Sequence, residues 1–162
     1  RKEREKQLEQ IRDAFDSARA YRTARESQGK RGSGSAGYDA RWEALLPVIA
    51  GELPLIISAD EISQIQEAVA FGLEQKVKLI LHGGYDAPRC AELLKRHKIP
   101  VIVGGVYRLP QRRDDAYDAP FTVPAQLHEA GVTFCISGAE RTGNERNLPY
   151  HAAAAAGEKR GG

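Results

Sequence analysis

The residue best placed to do chemistry is His82, in Leu79-Ile80-Leu81-His82-Gly83-Gly84. It ends an apolar run, and two glycines follow that let a ligand or backbone approach closely. A neutral imidazole there could bind a metal or act as a base. A histidine hydrogen-bonded to a neighbouring loop fits the position equally well. A second group is Ser58-Ala59-Asp60-Glu61. Ser58 with Glu61 three residues on reads as a capping box that starts a helix, but Ser58 and Asp60 could instead face a ligand. The third is Arg112-Arg113-Asp114-Asp115, in a long proline-bounded loop. It could bind an anion or bridge to another subunit, or simply pair with itself at the surface. Asn147, near Glu140, Asn144 and Arg146, completes the list of candidate ligand contacts.

Other chemistries lack their motifs. No G-x-G-x-x-G opens a helix, no Walker A pattern occurs, and there is no G-x-S-x-G elbow. His97, His128 and His151 show no close zinc spacing. Cys90 falls mid-helix and Cys135 mid-strand, so both are expected to be buried packing residues.

These candidates share a position along the chain. Short apolar runs at 55–57, 77–81, 101–103 and 132–136 alternate with helical patterns. Ile62, Ile65, Val69 and Leu73 form one apolar helix face, and further helices are expected at 87–97, 121–130 and 149–156. The runs are continuous and rich in Val and Ile, which predicts parallel strands covered on both faces. The fold class is therefore α/β, built of parallel βα units. In such folds functional residues lie just past the C-terminal ends of the strands, where the candidates fall. Four units amount to half of a (β/α)₈ TIM-like barrel, and 39–162 is assigned to it.

The segment before the repeat differs. Residues 1–28 read as an amphipathic helix through Leu8, Ile11, Phe15 and Ala18, and residues 29–38 as a Gly/Ser-rich loop. Asp39 is placed to cap a second helix, which Pro47 should bend or shorten.

Composition excludes several classes. With 162 residues, 41% hydrophobic and 28% charged, the chain suits one globular domain. No apolar run approaches the roughly 20 residues of a membrane helix, and no signal peptide is visible. Residues 1–32 carry ten Lys/Arg against six Asp/Glu, but the signs interleave as on a solvated helix. Neither nucleic acid nor membrane is expected as a partner. Two cysteines do not make a disulfide scaffold and suit a cytoplasmic address without excluding export. The absence of methionine, the start at Arg1 and the end just after an alanine run lead us to expect a fragment of a longer protein.

Residues 50–156 resemble the C-terminal half of the barrel in amidohydrolase-superfamily proteins, especially the imidazolonepropionase-like group. The matching stretches are Gly51-Glu52-Leu53-Pro54, Leu79 to Gly84, Leu109 to Asp118 and Asn144 to Ala152. The helix segment Phe15 to Arg22 resembles the one that follows strand four there. The resemblance implies metal-assisted hydrolysis of C–N bonds in cyclic amides or related small molecules. Zinc is the first choice of divalent metal, which activates water and polarises the carbonyl. It places His82 as the strand-six ligand. The strand-five histidine falls at Ser58 and the strand-eight aspartate at Gly138, so catalysis is expected to be impaired or lost, with no metal held in that case. Two alternatives stand beside it: a degenerate barrel that binds a ligand or partner, and an unrelated anion-binding α/β domain. The expected partners are a small-molecule substrate and the remainder of its own barrel. Homo-oligomers are a further expectation, because a half barrel has two open sheet edges.

Overall fold

The computed structural model describes residues 2–29, 38–138 and 145–157. The expected Gly/Ser-rich loop lies almost wholly outside them, as do Glu140 and Asn144. The chain divides into two compact units, residues 1–55 with 72–78, and residues 56–71 with 79–162.

In the first unit α1 (Lys2–Gly29) packs on α2 (Ala40–Ile49). Asp39 caps α2 as expected, its carboxylate accepting the Arg41 amide at 3.0 Å. Pro47 sits inside α2, and the helix ends two residues later at Ile49. Phe15 and Ala18 are buried, but Ile11 of the same apolar stripe is 45% exposed. The reason is length: at 1.5 Å per residue α1 runs about 42 Å and α2 only about 15 Å, so α2 covers part of the stripe. Polar contacts fix α1 further along. Arg12 makes a two-pronged pair with Glu74 at 2.8 and 2.9 Å, and Arg19 donates to the side-chain and main-chain oxygens of Gln75 at 2.9 and 2.8 Å.

The second unit holds the sheet. Its strands are β1 (Leu55–Ala59, whose first residue belongs to the other unit), β2 (Leu79–Gly83), β3 (Val101–Val103) and β4 (Phe134–Ile136). They are parallel, in the order β1-β2-β3-β4, so β1 and β4 are the edges. Between them run α3 (Ile62–Gln75), α4 (Ala91–Arg96, entered through a 3₁₀ turn at Ala87–Cys90) and α5 (Ala119–Glu129). After β4, a 3₁₀ turn at Glu145–Asn147 leads into α6 (Leu148–Gly157). This is the expected α/β architecture of parallel βα units, consistent with half of a TIM barrel.

Register sorts the strand residues into two faces. Leu81, Val101 and Phe134 are aligned, and so are His82, Ile102 and Cys135. Leu81, Val101 and Val103 are at most 2% exposed and join Ile65, Val69, Leu94 and Leu127 in the core. The other face is open: Ile56 is 57% exposed, Ser58 and Cys135 are exposed, and Ile80, His82 and Ile102 are half-buried. Coverage on both faces, the sequence expectation, is not found among the described residues. In a barrel only the outer face carries helices, and the inner face is covered by strands from across the barrel.

Two side chains depart from expectation. Cys135 is exposed, because it alternates onto the open face of an edge strand, whereas Cys90 is buried as expected. Leu73 is 52% exposed because it lies two full turns plus about 80° beyond Ile65, and Ala68 and Phe71 take the buried positions on α3. Burial also pushes the Cys90 thiol up, away from the reactive thiolate. Iodoacetamide at mildly alkaline pH is therefore expected to modify Cys135 quickly and Cys90 only on unfolding. Two equally fast cysteines in peptide mass spectra would contradict this packing.

Candidate functional site

Strand β1 runs to Ala59, two residues further than the apolar run alone suggests, and this turns Ser58 from a helix cap into a face residue. The capping box is not formed. The amides of Asp60 and Glu61 instead donate to the Gln64 side-chain oxygen at 3.0 and 3.3 Å, and the Ile62 amide donates to Asp86 at 3.3 Å. Ser58 is left on the open face, where its Oγ lies 3.3 Å from Nδ1 of His82 on the neighbouring strand. The two candidates thus form one hydrogen-bonded pair at the strand ends.

The glycines after His82 serve the backbone. Gly83 and Gly84 have φ of +99° and +69°, a region side chains resist. A Cβ at Gly83 would sit 3.0 Å from Oδ1 of Asp60, and one at Gly84 2.8 Å from a methyl of Val101. Their absent side chains make room for Asp60, whose Oδ1 accepts the Tyr85 amide at 3.0 Å.

From Tyr85 a polar network ties down the loop after β3. Asp86 is 3% exposed and pairs with Arg112, whose Nη1 donates to Oδ1 at 3.0 Å and whose Nη2 meets Oδ2 more closely. This ion pair holds the Arg112 guanidinium well above its ordinary pKa. The Tyr85 hydroxyl donates to Asp115 at 2.7 Å and accepts the Gln111 amide at 3.3 Å. Asp115 also accepts the Arg112 amide at 3.0 Å. Hydrogen bonding by Tyr85, outweighing desolvation, and then the Arg112 amide and charge hold the Asp115 carboxyl below its usual range.

A pH prediction follows from that shift. A carboxyl whose folded pKa is depressed contributes stability above its unfolded value, near 3.9, and loses it as pH falls through the folded one. The Gln111 and Arg112 amide signals should therefore move with a midpoint below the ordinary aspartate value. A midpoint at or above the ordinary aspartate value would disprove the anchoring.

Two residues outside the candidate list, His151 (set aside for lack of zinc spacing) and Arg108, join the site. His151 is 3% exposed, and its Nδ1 accepts the Val106 amide at 3.1 Å. Two residues on, the Arg108 amide donates to the Val106 carbonyl at 2.8 Å in a tight turn. Arg108 then reaches across three strand ends. Its guanidinium lies 5.0 Å from the Tyr85 ring centroid, 3.6 Å from Oδ1 of Asp60, and 3.7 Å from where a Cβ of Gly104 would be. Arg108 lies past the end of β3, where the strand-end rule places functional residues, four residues before the doubled Arg112-Arg113.

The remaining candidates separate. Arg113 is exposed beside the network, and Asn147 is half-buried in the turn before α6. Neither has a contact with Ser58 or His82. An apolar cavity of about 260 Å³ lies elsewhere, against Pro124, Phe134, Ile136 and Ala155. It contains none of these polar groups.

No family model matches the sequence, and no curated protein matches it. Among solved structures the chain is similar to an amidohydrolase from Thermotoga maritima MSB8, with 23% identity and a TM-score of 0.79. That match covers 94% of this chain and 39% of the Thermotoga chain. The fold is therefore amidohydrolase-like, and the four parallel βα units are consistent with half of such a barrel.

Proposed function

We propose that this chain forms one wall of a small-molecule site in an amidohydrolase-like barrel and binds its ligand there without building the metal centre on this wall. The observation that carries the reading is the Ser58–His82 pair on the open sheet face. Amidohydrolases generally use divalent metals, and zinc prefers His, Cys and carboxylate ligands. Here the imidazole has a serine hydroxyl as its neighbour. Asp60 spends Oδ1 on Tyr85 and Arg108. The strand-eight position implied by the resemblance is Gly138, which offers no side-chain donor. Among the described residues no three His, Cys, Asp or Glu side chains converge as a metal site. The donor set therefore does not fit the metal.

The residues that remain suit ligand binding. Ser58 and His82 offer hydrogen-bonding groups, and Asp60 with Arg108 adds one charge of each sign, all at the end of the sheet where such folds place their ligands. The open apolar face of Ile56, Ile80 and Ile102 is that of a barrel interior, and we propose the remaining barrel strands of the same protein as its cover.

Metal-assisted hydrolysis of C–N bonds, as in an imidazolonepropionase-like enzyme, is the second reading. It is favoured by His82 standing at the end of β2 on the open face. Zinc retention after dialysis of the full-length protein against a chelator separates the two. The first reading expects His82→Ala to leave the zinc content unchanged. One equivalent of zinc that disappears in His82→Ala would overturn it and favour the hydrolase.

A further inference from the structure

We propose that Asp60 and Arg108 form a receptor for a zwitterionic head group, a carboxylate next to an ammonium, as in a free α-amino acid. The inference deepens the small-molecule reading above and rests on it. The two side chains come from the ends of different strands and meet at 3.6 Å, with 35% and 28% of their side chains exposed. That separation exceeds hydrogen-bond range, so the pair is close without being closed.

Each partner has unused capacity pointing to the same ligand. Arg108 carries five N–H donors in a planar fork. Among the described residues its side chain makes the Asp60 ion pair and the stack on Tyr85, and it donates no hydrogen bond. The guanidinium lies against the ring at 5.0 Å with its N–H groups still to donate, and a planar fork of this kind pairs with a carboxylate bidentately. Asp60 uses Oδ1 for the Tyr85 amide and Arg108, and Oδ2 has no partner among the described residues. A carboxylate on the arginine edge and an ammonium on Oδ2 would satisfy both.

Charge selects the zwitterion over a simple anion. Arg112 is already committed to Asp86, which Arg89 also approaches at 4.0 Å. Arg108 lies 3.6 Å from Oδ1 of Asp60, so a simple anion on it would face that carboxylate, whereas a zwitterion brings its own cation to Asp60. A plain cation would meet Arg108 unshielded.

The test is a titration of the full-length protein with glycine, acetate and methylammonium chloride, each at constant ionic strength, read on the Arg108 Nε–H and Tyr85 amide signals. Glycine is expected to bind at least about tenfold tighter than either single-charge probe, and both Asp60→Asn and Arg108→Gln to weaken it about tenfold or more. Arg108→Lys keeps the ion pair and the fold but loses the planar fork. It should still weaken glycine several-fold, which a merely structural ion pair would not predict. Equal affinity for acetate and glycine would overturn the proposal, as would an equal loss in Arg113→Gln. Should zinc behave as proposed above while glycine leaves both signals unmoved, this assignment alone falls.

Discussion

Asp86→Ala is expected to lower the unfolding free energy by about 3 kcal/mol, within the range for removing one partner of a buried ion pair. Asp86 is 3% exposed, and its two oxygens take both Arg112 nitrogens and the Ile62 amide. Its own amide donates to the Asp60 carbonyl at 2.8 Å. Truncation leaves the first amide of α3 without its acceptor and unties the loop after β3. Arg112 retains some solvent and Asp115 at 3.8 Å, which limits the loss. Arg112→Ala should destabilise more than Asp86→Ala, because it strands a buried carboxylate instead of a partly exposed guanidinium. Asp86→Asn should fall between wild type and alanine, since it can still accept the Ile62 amide. Urea unfolding measures all three. A cost for Asp86→Ala below about 1 kcal/mol would place the pair with exposed ion pairs of little worth.

Gly84→Ala is the second large effect, expected at about 2–5 kcal/mol. Two costs add. Holding a side chain at a φ of +69° costs about 1–2 kcal/mol. The new methyl would then lie 2.8 Å from Val101 and 3.2 Å from the Ala87 side chain. Val101 is 1% exposed in a central strand and cannot retreat, so about 1–3 kcal/mol of overpacking follows. Gly84→Ala with Val101→Ala should recover the packing part and keep the backbone part. If the double variant were no better than the product of the singles, the clash would not be the cause. The result also bears on the site: these glycines serve the turn and Asp60 before any ligand.

The order of elements was legible in the chain. Continuous Val/Ile runs separated by amphipathic segments dictate parallel βα units, because only buried strands tolerate such runs and parallel neighbours need crossovers. Asp39 as a cap was likewise a local matter, settled within one turn of helix. The position of His82 and Ser58 past or at strand ends was readable for the same reason.

What each side chain does there was decided by tertiary structure. Extending β1 by two residues changed the face of the Ser58 reading, since side-chain direction in a strand flips at every residue. Arg112 and Asp86 are 26 residues apart and Arg108 and Asp60 are 48 apart, so neither pairing leaves a local pattern. Cys135 and Ile56 look like core by composition, but their strands place them on the face that the helices do not cover. By itself the sequence determined the parallel βα order and the chain positions of the candidate residues, through local periodicity and hydrophobic pattern. Only the tertiary structure decided which of them meet, because non-local contacts depend on strand register and on which face of the sheet finds a partner.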